Sequence, residues 1–374
     1  MAHINRYLHD KILRDLAKQK IVIVYGARQV GKTTLANKVR ATYKNTCCIN
    51  GDFVDDRAKI AEPSRTMVKQ FSANDLLIVD EAQRIPDIGI KLKVIHDTLP
   101  QLHILVTGSS ALEISQAVSE PLTGRSIPHR MYPLGMIELT KKTFSLPYAL
   151  TYGTYPEVTL AGTPHDKEVA ITNIATNYLF KDVLNIEYIK SPRTLEHLLT
   201  ILASQMGSEV SIHELSNTLD IDSKTVNRYL DILEKLSIVF PLAPYATNVR
   251  KSVTKKRKYY FYDLGIRNAL LHDFSPIEQR ADIGALWENF CILERKKRND
   301  AHERFVQYRF WRAYTGEEID LLEIENTVLR GFECKWQHTS VPSRIKTLYQ
   351  QDLGGADSIT IFSAHDTSAI LSAT

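Results

Sequence analysis

The sequence predicts an α/β protein: a parallel-sheet domain, then a helical linker, a winged helix-turn-helix, and a second α/β domain. Three observations predict it. Short, continuous apolar runs rich in β-branched residues recur in the first third, each ending in small or acidic residues, as strands buried on both faces of a parallel sheet do. Two helical patterns separated by a short turn lie near residues 211–236, followed by strand-like runs around a basic stretch. Alternating apolar and polar residues over 318–336 mark a β-hairpin. The expected boundaries are 1–140, 141–194, 195–262 and 263–374.

The first strand is Ile21–Tyr25, and a loop follows at once: Gly26, Ala27, Arg28, Gln29, Val30, Gly31, Lys32, Thr33 fits G-x-x-x-x-G-K-[ST], with a helix continuing from Thr34. Glycines let backbone N–H groups close around phosphate oxygens, and the helix N-terminus adds a positive dipole. Lys32 supplies a mobile charge at the β and γ phosphates. Thr33 places a hydroxyl where magnesium takes it as a ligand. Gly26 to Thr34 are therefore the expected ATP contacts, with ATP and Mg²⁺ as cofactors.

A second strand, Leu76–Val79, delivers Asp80 and Glu81 at its carboxyl end. Asp80 is expected to hold Mg²⁺ and Glu81 to act as general base on the attacking water; the plainer reading is an acidic helix start. A third run, His103–Val106, ends in Thr107, Gly108, Ser109 and Ser110, where Ser109 or Thr107 is placed to sense the γ phosphate, or merely to cap a helix. Arg125, after Leu122-Thr-Gly, is a candidate finger for γ-phosphate charge, in cis or across a subunit boundary, against the reading of a surface arginine.

These strings, with Asp80-Glu-Ala-Gln-Arg and the loop Tyr152-Gly-Thr-Tyr-Pro-Glu-Val158, resemble an AAA+-like ATPase family widespread in bacteria and archaea, whose C-terminal half is a domain of unknown function. The resemblance covers nearly the whole chain. It implies an ASCE-type sheet with the sensor strand between the two Walker strands.

Ser211 and Glu214 form a capping-box pattern opening a short helix with Leu215 and Leu219 inward. After a turn at Ile221–Ser223, Val226, Leu230, Leu233 and Leu236 share one helical face, leaving Lys224, Thr225, Asn227 and Arg228 at the exposed start of the second helix. Side chains there reach a major groove in helix-turn-helix proteins. Between the expected wing strands, Ile238–Leu242 and Lys258–Tyr262, lie Arg250, Lys251, Lys255, Lys256, Arg257 and Lys258, suited to backbone phosphates. DNA is the expected partner; the alternative is a protein-binding module with a solvated basic loop.

In the last domain Glu333 and Lys335 share a strand face, since side chains repeat every second residue, and Asp320 lies on the preceding strand. Asp320 and Glu333 are expected to hold a divalent cation, Lys335 to orient a water toward a phosphodiester, and Glu288, on an amphipathic helix, to join them. The pattern is similar to the PD-(D/E)XK, restriction-endonuclease-like fold, which the family resemblance also implies here, with Ile319 where proline often precedes the aspartate. The plainer reading is an exposed charged edge.

A chain of 374 residues exceeds a single core, which stops growing at roughly 250–300 residues. With 44% hydrophobic and 24% charged residues it is neither disordered nor fibrous. Forty-seven basic against 43 acidic residues leave the overall field too weak to identify a partner. Cys47, Cys48, Cys291 and Cys334 lack metal-ligand spacing and suit reduced thiols of a cytoplasmic protein. No stretch suits a membrane span or signal peptide. A homo-oligomer is expected from Arg125. Two functions compete: an ATPase that binds DNA and carries a nuclease-like domain, and a nucleotide-dependent switch whose C-terminal half binds a protein partner without cutting nucleic acid.

Overall fold

The computed structural model describes residues 4–108, 121–140, 143–176, 191–245, 256–337, 340–353 and 359–373. The chain divides into two compact units, Met1–Leu134 with Lys235–Ser237, and Gly135–Glu234 with Ile238–Thr374.

The first unit runs α1 (Leu8–Leu16), β1 (Ile21–Tyr25), α2 (Lys32–Arg40), β2 (Thr46–Asn50), α3 (Val54–Lys59), α4 (Arg65–Lys69), β3 (Leu76–Asp80), α5 (Ile88–Thr98), β4 (His103–Gly108) and β5 (Ser126–Arg130). Among the described residues its strands form one parallel sheet in the order β2-β3-β4-β1-β5. The strand that carries Thr107, β4, thus lies between the strands ending at the phosphate loop and at Asp80, as the resemblance implied. Ile21, Ile23, Leu77, Val79, Ile104 and Val106 pack into one core with Leu92 and Ile95 of α5. Parallel strands covered in this way present their loops at a single carboxyl edge.

The second unit continues α6 (Leu146–Tyr152), α7 (Pro156–Leu160), α8 (Pro164–Ala175), α9 (Pro192–Ser204), β6 (Glu209–Val210), α10 (Ile212–Leu219), α11 (Ser223–Lys235), β7 (Val239–Pro244), β8 (Arg257–Phe261), α12 (Leu264–Leu271), α13 (Ile283–Ala301), β9 (Gln307–Arg312), β10 (Glu318–Glu325), β11 (Val328–Lys335), α14 (Ser343–Leu353), β12 (Ile359–Ser363) and α15 (Ser368–Ser372). Ser211 caps α10 by accepting from the Glu214 N–H, and Asp220 ends that helix in the left-handed region. Val226, Leu230 and Leu233 are buried on α11.

One mixed sheet orders the strands β12-β11-β10-β9-β7-β8-β6. Its joint is the parallel pair β7–β9, Ala243 beside Arg309 and Pro244 beside Phe310. The strands β7 and β8, expected to form a wing, and the later hairpin, assigned by sequence to domains meeting at residue 262, therefore share a sheet, and that boundary is not a break in the fold. The sequence misses the joint because two paired residues leave no periodic signal.

Gly153 shows why the loop after α6 needs its glycine. Its φ is +78°, and a Cβ there would lie 1.9 Å from Asp263 Oδ1. Asp263 caps α12 through the N–H groups of Gly265 and Ile266, and accepts the Thr154 N–H at 2.8 Å.

Candidate functional site

The phosphate loop leaves β1 through Gly26, where a Cβ would meet the Met131 carbonyl oxygen at 2.2 Å, so only glycine fits. Gly31, at φ +98°, turns the chain into α2. Arg6, which no motif announces, fixes this loop: its guanidinium donates to the Val30 carbonyl at 2.8 Å and to the Tyr132 carbonyl at 2.6 Å. Lys32 is buried, and its Nζ donates to the carbonyls of Gly26 and Ala27 at 2.9 and 2.7 Å. Arg28 and Gln29 lie in the loop with Gln29 at positive φ, and Thr34 is exposed in the first turn of α2.

The hydroxyl of Thr33 donates to Asp80 Oδ2 at 2.9 Å, and the hydroxyl of Thr107 donates to Asp80 Oδ1. Three neighbouring strands and loops thereby converge on one carboxylate at the carboxyl edge. A hydroxyl and a carboxylate facing one another beside a phosphate loop fit a hard, oxygen-preferring magnesium ion. Glu81 follows in the left-handed region, at φ 49°, and its Oε2 accepts from Gln83 Nε2. Thr107 thus faces the Asp80 carboxylate; Ser109 lies outside the described residues.

Arg125 is not at this edge. Its carbonyl accepts the Ile21 N–H at 2.9 Å, and β5 starts beside Ile21, so Arg125 sits at the amino end of β1. Five residues of strand, about 16 Å, separate that end from Gly26. Its guanidinium is held by Asp97 through two bonds of 2.8 and 3.0 Å. The expectation that Arg125 serves this loop in cis is corrected: a parallel sheet places the amino end of β5 opposite the phosphate loop.

In the second unit, the sequence-predicted acidic residues meet. The pairing of β10 with β9 slips between Ile319 and Leu322, a bulge that contains Asp320. Asp320 Oδ2 accepts the Cys334 N–H at 2.8 Å, next along the chain from Glu333. Lys335 Nζ lies 2.8 Å from Glu333 Oε2, so the pair predicted to share a face does touch. Carboxylate oxygens, one each from Glu288, Glu318 and Asp320, lie within 4.8 Å of one another. Glu318 was missed because it precedes the motif by two residues and reads as the polar start of a strand. Burial, and then the Glu333 charge, push the Asp320 carboxyl up to about 8; burial, and then Asp320, push Glu288 up to about 7.

Lys258, expected on the DNA-facing wing, is instead 3% exposed. Its Nζ lies 3.2 Å from Glu288 Oε1 and donates to Glu318 Oε1. Burial alone would lower its pKa; the charges of Glu288 and Glu318 outweigh that and hold it well above the ordinary lysine value. The correction has a simple cause: Lys258 lies within β8, on its inward face. Lys256 and Arg257 are exposed, whereas Arg250, Lys251 and Lys255 lie outside the described residues. At the start of α11, Lys224 and Asn227 are exposed and Thr225 and Arg228 partly so; Thr225 Oγ1 donates to Asp222 at 2.7 Å and Asn227 Nδ2 to the Ser223 carbonyl at 2.8 Å.

Residues 18–140 match a family described as an AAA domain. They are a P-loop ATPase domain. Two further families, each described as a domain of unknown function, match residues 143–276 (DUF8612) and 283–366 (DUF4143). The chain is 28% identical over 342 residues to the uncharacterized protein Rv2008c of Mycobacterium tuberculosis, covering 89% of this chain and 74% of the other. It is 26% identical over 329 residues to the uncharacterized protein MJ1637 of Methanocaldococcus jannaschii, covering 75% and 68%. Among solved structures, the Walker-type ATPase PABY2304 of Pyrococcus abyssi aligns with a TM-score of 0.47 at 13% identity, over 72% of this chain and 96% of that one. No described helix is long and apolar enough to cross a membrane.

Proposed function

We propose that the protein is a magnesium-dependent ATPase that binds DNA through its second unit and carries there a nuclease-like carboxylate site, for DNA processing, repair or defence. The observation that carries the first part is the meeting of Thr33 and Thr107 on the Asp80 carboxylate beside the Lys32 loop. Backbone N–H groups of the loop and the start of α2 bind the triphosphate. Lys32 would exchange its carbonyls for the β and γ oxygens, Thr33 and Asp80 would hold a magnesium ion, and Glu81 would take the proton of the attacking water. A magnesium ion held there would supply the charge that offsets what develops between the phosphates.

The second part is supported by composition of charge. Among the described residues, Glu288, Glu318, Asp320 and Glu333 face Lys258 and Lys335, and a further partner, Arg312, is shared between Glu318 and Glu209. Buried carboxylates in excess of their cations fit a divalent ion. Asp320 and Glu333, with Glu288, would hold it, and it would polarise a phosphodiester. Lys335 holds a water or its proton beside Glu333. The order helix, strand, helix, helix, hairpin over α9 to β8 is that of a winged helix, and it supports a duplex at Lys224, Asn227, Lys256 and Arg257.

Hydrolysis of ATP and cleavage of DNA, in Mg²⁺ or Mn²⁺, are to be compared for wild type, Lys32→Ala and Asp320→Ala. Hydrolysis raised several-fold by DNA, and cleavage lost in Asp320→Ala, are expected; full turnover by Lys32→Ala overturns the first assignment. A second reading, a nucleotide switch whose C-terminal half binds a protein without cutting, is favoured by the Lys258 ammonium already lying among the carboxylates. No cleavage by wild type and DNA-indifferent slow turnover would establish it.

A further inference from the structure

Strand β8 sends into the acidic cluster a lysine that the wing does not require. Lys258 reaches Glu288 on α13 and Glu318 on β10, two elements far apart in sequence, and Tyr260, two residues along the same face, gives its hydroxyl to the same Glu288 Oε1. The lysine stem passes the Phe310 ring, with Nζ 5.3 Å from its centroid. The ammonium therefore stands among the oxygens that lie within 4.8 Å of one another.

A metal ion and this ammonium cannot both be served. A divalent ion takes carboxylate oxygens at about 2.0–2.6 Å, and Glu288 Oε1 already receives two donors. Two cations a few ångströms apart repel by several kcal/mol even at an effective dielectric of about 20. The backbone cannot yield, because Lys258 is paired to Glu209 on one side and to Leu242 on the other. Only the side chain is able to leave.

We propose that the Lys258 ammonium is the resident cation of this cluster, and that a divalent metal ion enters only by displacing it. The inference rests on reading the cluster as metal-binding. It makes Lys258 a positioning residue: it holds Glu288 and Glu318 in place while the site is idle and sets the concentration of metal at which it fills.

Calorimetry of the full chain with Mn²⁺ alone tests this. Lys258→Met is expected to bind at least about tenfold more tightly than wild type, since a unit charge a few ångströms away has gone, while Lys258→Arg stays near wild type. Affinity of Lys258→Met within twofold of wild type overturns the proposal. Wild type provides an independent measurement should Lys258→Met not fold: amine-reactive labelling of Lys258, mapped by peptide mass spectrometry, is expected to rise several-fold in saturating Mn²⁺. Labelling unchanged while Mn²⁺ binds overturns the displacement and spares the cluster. Mn²⁺ uptake by neither wild type nor Lys258→Met overturns the metal reading and the inference together.

Discussion

The phosphate-loop site and the acidic cluster of the second unit both gather carboxylates on a sheet, but the sheets put them in different surroundings. Asp80 and Glu81 leave the end of a parallel strand, half-buried, and Thr33 beside them is exposed. Asp320 and Glu333 lie within antiparallel strands, 8% and 1% exposed; the Lys335 ammonium answers Glu333, and the Cys334 N–H donates to Asp320. The first site is open to exchange with water. In the second, charges are satisfied mainly by one another, so the groups that could do chemistry also hold the fold.

The sharpest test of that difference lies two turns along α13 from Glu288. Arg295 and Glu323, both fully buried, bond through two contacts of 2.8 and 2.6 Å, and Asn299 adds a third bond to the carboxylate at 2.9 Å. Glu323→Ala strands a buried guanidinium, and breaking such a pair costs about 3–5 kcal/mol. All three tryptophans, Trp287, Trp311 and Trp336, belong to the second unit, so their fluorescence in a urea titration reports its stability. A loss below about 1 kcal/mol would show these charges to be dispensable to the fold.

Lys32→Ala should do the reverse. Removing a preorganised charge from a phosphoryl-transfer site costs about 10²–10³ in turnover, and the urea midpoint read by tryptophan should not move. Single-turnover hydrolysis measures the first and fluorescence the second; a shifted midpoint would mean that the open site also carries stability for its neighbour.

The two regions also differ in how much of them could be read from sequence. A phosphate loop is local: strand, loop and helix are contiguous, so Ile21–Tyr25 and Gly26–Thr33 announce both fold and chemistry. Asp80 was legible because a buried strand delivers it. Arg6 was not, because its bonds to Val30 and Tyr132 span distances along the chain that no periodicity encodes. In the second unit Asp320, Glu333 and Lys335 could be read from alternation, whereas Glu318 and Lys258 belong to the cluster only through the joining of β7 to β9 and the depth of β8. A lysine in a basic run reads as solvated; the pleat that turns Lys258 inward while Arg257 stays exposed decides otherwise.

Asp263 extends the comparison to pH. It is buried, and burial pushes its carboxyl up to about 6 from 3.8, against three backbone N–H bonds and the Lys297 charge. Because the folded form keeps its proton to higher pH than the unfolded chain, this group's contribution is present below about pH 4 and lost as pH rises to about 6, by about 3 kcal/mol. Asp263→Asn should remove that fall and cost up to about 1 kcal/mol at pH 4, through the bond from Thr154. Urea midpoints at pH 4, 5, 6 and 7 measure it; a wild-type midpoint that rises over this range would contradict the buried-carboxyl account.

The smallest effect is expected at Arg125. Register places it beside Ile21, at the end of the sheet away from Gly26, with its guanidinium on Asp97. In dilute protein Arg125→Ala should therefore leave hydrolysis within about twofold, because an exposed ion pair contributes little and none of it reaches the γ phosphate. Turnover per subunit should be measured across a wide range of protein concentration. A loss at every dilution would mean that the sheet register misplaces this residue. A loss that appears only as subunits associate would instead place Arg125 at a neighbour's phosphate loop, where the amino edge of one sheet meets the carboxyl edge of the next.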